Sequence, residues 1–290
     1  MLLFVSIALA QHVDVDATDV ITTADLPWAA SAVGHPALWS TDTGFAMVFE
    51  SQIDVAGCDE AHQLGRATST DGLSWTVHPA TIGPTPAAPC GFRTPTVADT
   101  ADGLLILARA VHDDTMWARR FEGRRATSWR PTGLDDLEAV SVARRDGTWF
   151  GVGVDPTLGL VTLSSPDART WTRDAYAVLP YGSTWWSLDG ILSPSVSCFD
   201  GPSMPWVMHY GGWTGSDTGF TYGLSDDLQL WFLSLAADIW TPTDAWDAWD
   251  TVSTPSEAWV AFEQDGAIGW ASTSGGLPID PATRDCSSAL

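Results

Sequence analysis

The chain has 290 residues, 45% hydrophobic and 17% charged, with 36 acidic against 13 basic side chains and a net charge of −23. That composition is globular rather than disordered. The charge repels phosphate backbones, which argues against a nucleic-acid partner and suits neutral ligands such as sugars. No apolar run approaches the roughly 18 residues of a membrane-spanning helix, so a helical span is excluded.

The chain opens with an apolar run, residues 1–10, that ends in the small-x-small pattern Ala8-Leu9-Ala10. It reads as a short signal peptide and hence as a secreted protein; the other reading is a buried first strand. From Val13 to Ile21, apolar and polar residues alternate as in a half-buried strand.

Beyond this point one unit recurs. It begins with x-Pro-small-aliphatic: His35-Pro36-Ala37-Leu38, Thr94-Pro95-Thr96-Val97 and Ser193-Pro194-Ser195-Val196. Glu138-Ala139-Val140-Ser141-Val142 takes the same place without the proline, and Asp250-Thr251-Val252-Ser253 is a weaker fifth case. A polar break and an apolar strand follow each, as in Gly44–Phe49 and Gly103–Ala108. The unit closes on Ser-x-Asp-x-x-x-Trp at Ser69–Trp75, Ser165–Trp171 and Ser225–Trp231. The Ser and Asp side chains suit a turn, where they bond their own backbone, and the Trp buries its ring beneath it.

Units spaced by roughly 45 to 60 residues have the length of β-propeller blades. Five fit, at about 31–85, 86–136, 137–180, 181–240 and 241–277, with the N-terminal strand closing the ring and hiding a sheet edge. The expectation is an all-β, five-bladed β-propeller forming one domain over residues 11–290. No linker divides it, and no segment has the period of a long amphipathic helix.

Cys58, Cys90, Cys198 and Cys286 form an even set without metal-ligand spacing. Three pairings are open. Cys58 with Cys90, near in sequence, and Cys198 with Cys286, pinning the C-terminal tail, are the expected ones; four buried thiols are the alternative. There is no Lys, which excludes Schiff-base and Ser-Lys chemistry, and no Asn, which removes every N-glycosylation site. Gly-rich phosphate loops, HExxH and Gly-x-Ser-x-Gly are also missing.

The repeat of x-Pro-small-aliphatic, Gly-aromatic strand and Ser-x-Asp-x-x-x-Trp resembles the five-bladed propeller glycoside hydrolases. These are the arabinanase, xylosidase and arabinofuranosidase enzymes of family 43, with their invertase and levansucrase relatives. The resemblance implies a poly- or oligosaccharide ligand at the axial funnel. It also implies three carboxylates from the first three inner strands: a base, a pKa-tuning Asp and a general acid. Hydrolysis needs two carboxylates across the scissile bond, about 6.5–9.5 Å apart for inversion or 5–5.5 Å for retention.

Carried onto this chain, the acid falls on Glu138, one of only six Glu. His35 stands where the resemblance expects the base Asp, and Thr94 where it expects the tuning Asp. Asp25 and Asp189 are the substitute bases; a solvated turn is the alternative for each. His35 and Arg93 would contact substrate, or His35 packs against a strand and Arg93 pairs with an acid. Trp185, Trp186 and Trp213, beside Gly-rich segments, offer flat faces for sugar rings. No cofactor is expected; the resemblance admits a calcium ion, for which no ligand set can be read. A monomer is expected. Arg119, Arg120, Arg124, Arg125 and Arg130 form the single basic stretch and read as a solvated outer hairpin of the second blade, or as an anion patch. Loss of two of the three carboxylates leaves two functions open, a hydrolase and a catalytically inactive propeller that binds carbohydrate or protein.

Overall fold

β-Branched and aromatic runs, punctuated by Gly, Asp and Pro, give strands and tight turns along the chain. The computed structural model describes residues 12–100, 103–122, 125–182, 189–198, 206–215, 217–228, 231–233, 248–253, 257–274 and 285–286. Strand β1 (His12–Ile21) is followed by the only helical turn among these residues, a 3-10 turn at Thr23–Asp25. The first blade is β2 (Ala32–Thr41), β3 (Gly44–Gln52), β4 (His62–Ser69) and β5 (Trp75–Val77). The second is β6 (Phe92–Thr100), β7 (Gly103–Ala110), β8 (Met116–Glu122), with the short β9 (Arg125–Ala126) and β10 (Arg130–Pro131) on its outer side. The third is β11 (Val140–Arg145), β12 (Thr148–Asp155), β13 (Gly159–Ser165) and β14 (Thr172–Pro180). The fourth is β15 (Gly190–Cys198), β16 (Trp206–Thr214), β17 (Asp217–Ser225) and β18 (Trp231–Leu233). The fifth is β19 (Ala248–Ser253), β20 (Glu257–Gln264) and β21 (Ala267–Ser274), and β22 (Asp285–Cys286) follows.

Each blade is an antiparallel meander, and the innermost strands β2, β6, β11, β15 and β19 neighbour one another in a closed circle. The fold is a five-bladed β-propeller. β1 pairs antiparallel with β21 as the fourth strand of the fifth blade, so one blade is built from both ends of the chain. β22 lies parallel to β11 at Arg144 and Arg145.

The closing turns make the bonds their residue types suggest. Ser69 Oγ accepts from the Gly72 N–H, Asp71 accepts from the Leu73 and Ser74 N–H groups, and Trp75 Nε1 donates to the Gly72 carbonyl. The Ser165 and Ser225 turns repeat this arrangement in part. Trp75 then meets Trp270 of the fifth blade edge-on, at 5.7 Å between ring centroids, so a turn in one blade packs the seam with the next.

The disulfide Cys58–Cys90 joins the β3–β4 loop to the entrance of the second blade. Cys198 is disulfide-bonded as well. The side chain of Cys286 is outside the described residues, although its backbone pairs with Arg145.

Candidate functional site

The x-Pro motifs shape the axis. His35, Thr94 and Ser193 all have positive φ, at 43°, 46° and 30°. The register of the innermost strand slips at each of them. A left-handed non-glycine residue costs of order 1–3 kcal/mol and persists only when its surroundings hold it. The following proline lacks an N–H, so the ladder breaks there at little further cost. The three bulges turn their residues toward the axis, where they line a cavity of about 200 Å³ together with Glu138, Trp213 and Asp250.

Two of these strained residues are held by glutamates from neighbouring second strands. The His35 N–H donates to Glu263 Oε2 at 2.9 Å, and the Thr94 N–H donates to Glu50 Oε2 at 2.7 Å. The His35 ring sits between the same two carboxylates, its Nδ1 3.0 Å from Glu50 Oε1 and 3.2 Å from Glu263 Oε2. Burial by itself would lower the His35 pKa. The Glu50 charge and the bonds to Glu263 and Glu50 outweigh it and push the pKa up to about 10. Burial would likewise raise the Glu50 carboxyl, but the charges of His35 and His62 hold it below its ordinary value. His35 is therefore an imidazolium at neutral pH, a donor and not a general base.

Glu263 reaches this place because residue 34 is glycine: a Cβ there would stand 2.2 Å from Glu263 Oε2. The charges continue outward. His62 lies 3.5 Å from Glu50 and 2.8 Å from Glu60, Glu60 lies 3.8 Å from Arg93, and Arg93 bonds Asp114 at 2.6 Å.

Glu138 is exposed at the third inner strand, its N–H bonded to the Val154 carbonyl. It lines the axial cavity and also a side cleft of about 370 Å³ that holds Arg93, Arg109 and Thr94. The Tyr181 phenol is pushed up to about 12, by burial first and then by the charges of Glu138 and Asp155. Asp250, the other carboxylate on the axial cavity, is buried and committed. It accepts from the Leu38 N–H at 2.7 Å, the Ser195 hydroxyl at 2.5 Å and the Thr251 N–H at 2.9 Å.

His35, Glu138 and Trp213 thus meet at the axis, and Arg93 joins Glu138 in the side cleft while paired with Asp114. The Trp213 ring rests on Gly190, where a Cβ would come within 1.9 Å of it. Asp25 and Asp189 do not line the cavity. Asp25 caps the 3-10 turn by accepting from the Thr22 N–H and hydroxyl, and Asp189 is an exposed turn residue accepting from the Gly215 N–H. Trp185 and Trp186 lie outside the described residues. Among the described residues no three His, Cys, Asp or Glu side chains form a metal-holding group.

Glu50, Glu263 and Arg109 are site residues that reading the motifs alone passes over. A signal for the glutamates exists: Val48-Phe49-Glu50 and Ala261-Phe262-Glu263 repeat one aliphatic-Phe-Glu pattern at the end of equivalent strands. Both rings lie on a glycine of the next strand, Phe49 on Gly65 and Phe262 on Gly269.

No family model matches the sequence, and no curated protein does. The fold is similar to that of five-bladed propeller glycoside hydrolases and phosphorylases. A structure from the GH130 family of mannoside phosphorylases, which contains glycoside hydrolases that target β-1,2-mannosidic linkages in Candida mannan, aligns at TM-score 0.70. It shares 16% identity over 98% of each chain. A β-1,2-mannobiose phosphorylase from Listeria innocua aligns at TM-score 0.67 with 10% identity, over 88% of this chain and 94% of that one. A family 117 glycoside hydrolase from the marine bacterium Zobellia galactanivorans aligns at 0.64 with 10% identity, over 94% and 93%.

Proposed function

We propose that this protein is a carbohydrate-active propeller that takes the end of an oligo- or polysaccharide in its axial cavity, and that it binds the saccharide without cleaving it through a carboxylate pair. One observation carries the reading. Among the described residues at the axis, Glu138 is the single carboxylate left to a ligand, while Asp250, Glu50 and Glu263 are spent on backbone N–H groups, Ser195 or His35. Hydrolysis by the two-carboxylate route needs a second one across the bond.

The cavity suits a sugar. At about 200 Å³ it is smaller than the roughly 300–1,000 Å³ of drug-sized sites, as fits one terminal ring. Trp213 provides an indole face, Glu138 an acceptor, and the His35 imidazolium a fixed cation for hydroxyl oxygens. Similarity in fold to saccharide-active propellers agrees with this but is an argument by analogy. The disulfides suit an oxidising compartment, and so secretion.

Hydrolysis is the second reading, favoured by the place of Glu138 between the axial cavity and the side cleft, where an acid could reach a bond spanning both. The test is binding and product release on arabinan, xylan, fructan, β-mannosides and aryl glycosides, for wild type, Trp213→Ala and Glu138→Gln. The binding reading expects an affinity that Trp213→Ala weakens at least tenfold, with no product. Release that Glu138→Gln lowers about a hundredfold or more would replace it with hydrolysis. Neither binding nor release would sink the axial reading for these sugars.

A further inference from the structure

Thirteen arginines face 36 acidic side chains in this chain, so an arginine near the surface should find a carboxylate. Arg93, Arg145 and Arg173 do so, with Asp114, Asp146 and Asp136. Four others do not. Arg119, Arg120, Arg130 and Arg169 line one groove of about 50 Å³ between the outer strands of the second blade and the closing turn of the third. None of them makes a direct ion pair among the described residues; the Arg169 charge is the least of the causes that hold the Asp167 carboxyl below its ordinary value.

Two acids share the groove, Glu122 and Asp167. Asp167 Oδ1 accepts from the N–H groups of Arg169 and Thr170 and from the Ser165 hydroxyl, so that oxygen serves its own turn. The arginines are also held in place. The Arg119 guanidinium lies 5.0 Å from the Phe121 ring centre and 5.8 Å from that of Trp129, and its Nε donates to the Thr127 carbonyl. Arg120 lies 5.6 Å from the Trp149 ring centre. Stacked guanidiniums have lost much of their rotamer freedom in advance and present planar N–H forks.

We propose that this groove is a binding surface for a carboxylate-bearing polysaccharide, its guanidinium groups taking uronate carboxylates along the chain. Arginine forks match a carboxylate with two parallel N–H donors. A net charge of −23 opposes a dense polyanion such as nucleic acid, whereas a chain with about one carboxylate per ring can approach a local basic groove. The groove is small enough for a carboxylate and too small for a ring. The choice of a glycan rests on the saccharide reading of the axial cavity; the anionic group rests on the arginines alone.

The test is affinity electrophoresis of the full chain in gels carrying polygalacturonate, the same polymer fully methyl-esterified, heparin, or no polymer, with duplex DNA titrated separately. Wild type should be retarded by polygalacturonate and not by its ester. The double variant Arg120→Gln/Arg130→Gln and the separate exposed-turn variant Arg169→Gln should weaken that retention, the double at least tenfold, with melting temperatures near wild type. Arg66→Gln, at an exposed arginine of the first blade outside the groove, should leave it unchanged. Equal retention of wild type and both Arg variants, equal retention by the ester, no retention at all, or tighter binding to heparin or DNA would each overturn the proposal. Polygalacturonate binding that needs the arginines, beside failure of every neutral sugar at the axis, would overturn the axial reading and leave this one standing.

Discussion

His35 Nδ1 stands 3.0 Å from Glu50 Oε1, in the one blade whose bulge residue can carry a positive charge. Glu50 in turn holds the Thr94 N–H of the next blade, so a single carboxylate fixes two strained bulges across a blade seam. The ion pair is thus a part of the cavity wall, and its protonation state is a property of the fold.

A pH dependence follows. The His35 pKa is raised to about 10 from an unfolded value of 6.5. Its stabilisation is fully present below the unfolded value and is lost as pH rises through about 10. The urea midpoint of wild type should fall between about pH 7 and pH 10, and His35→Gln should remove that slope. The variant should cost roughly 2–3 kcal/mol at neutral pH. That is less than the ~3–5 kcal/mol of a fully buried broken pair, because 34% of the His35 side chain is exposed and solvent screens it. A midpoint independent of pH across this range would contradict the pairing.

Gly34→Ala tests the same cluster from the backbone side. The new Cβ would lie 2.2 Å from Glu263 Oε2 and 2.3 Å from its Cδ, so the carboxylate must leave the His35 N–H. A loss of about 1–3 kcal/mol is expected, in the range of overpacked sites. The His35 imidazole resonance followed by NMR should titrate at lower pH than in wild type. An unchanged titration would show that Glu263 does not contribute to the His35 charge.

The propeller is legible in the chain because its blades repeat. Pro36, Pro95 and Pro194 mark three inner strands, and Asp71, Asp167 and Asp227 mark three closing turns by accepting hydrogen bonds at side-chain oxygens from within their own turn. The site is less legible because its geometry depends on contacts between distant residues. Glu50 and Glu263 end apolar strands, where a single acid reads as a strand terminus, and only the ring closure that sets residue 263 against residue 35 shows their use. Glu138 lies on a repeated motif and can be located from sequence. Asp25 and Asp189 differ from it only in what their turns do with the carboxylate, which spacing does not express.

The Cys58–Cys90 bond encloses a separation of 32 residues, for which the loop-entropy relation gives roughly 3–4 kcal/mol. It also fastens the segment around Cys90, whose carbonyl accepts from the His62 N–H. Cys58→Ser/Cys90→Ser should therefore lower the melting temperature by several degrees while leaving the Cys198 disulfide in place, as mass mapping after alkylation would report. A melting temperature equal to that of wild type would mean that the first-blade loop is held by its strands alone.

Asp250 binds three blades together: its own strand, Leu38 of the first blade and Ser195 of the fourth. Asp250→Ala removes the acceptor of the Leu38 and Thr251 N–H groups and of the Ser195 hydroxyl, and should cost about 3 kcal/mol or more. If Asp250 serves the fold and not the ligand, the surviving folded protein should bind saccharide within about twofold of wild type. A folded variant with binding lost would assign Asp250 to the site.

His209 sets the acid limit. It is fully buried on β16, stacked 5.7 Å from Phe220, with Nδ1 3.1 Å from the Thr251 hydroxyl. Burial lowers its pKa to about 4 from 6.5. The unfolded chain then binds a proton between these values that the folded chain refuses, so stability is full above about pH 6.5 and falls as pH drops toward 4. A shift of that size corresponds to about 3 kcal/mol at the foot of the window. Glu50 adds to the same trend, since its depressed pKa makes its contribution present at neutral pH and lost in acid. His209→Gln should flatten the slope between pH 6.5 and 4 and leave the alkaline slope of His35 intact. If chemical denaturation of the variant retains the full acid slope, the limit lies in the carboxylates and not in this histidine.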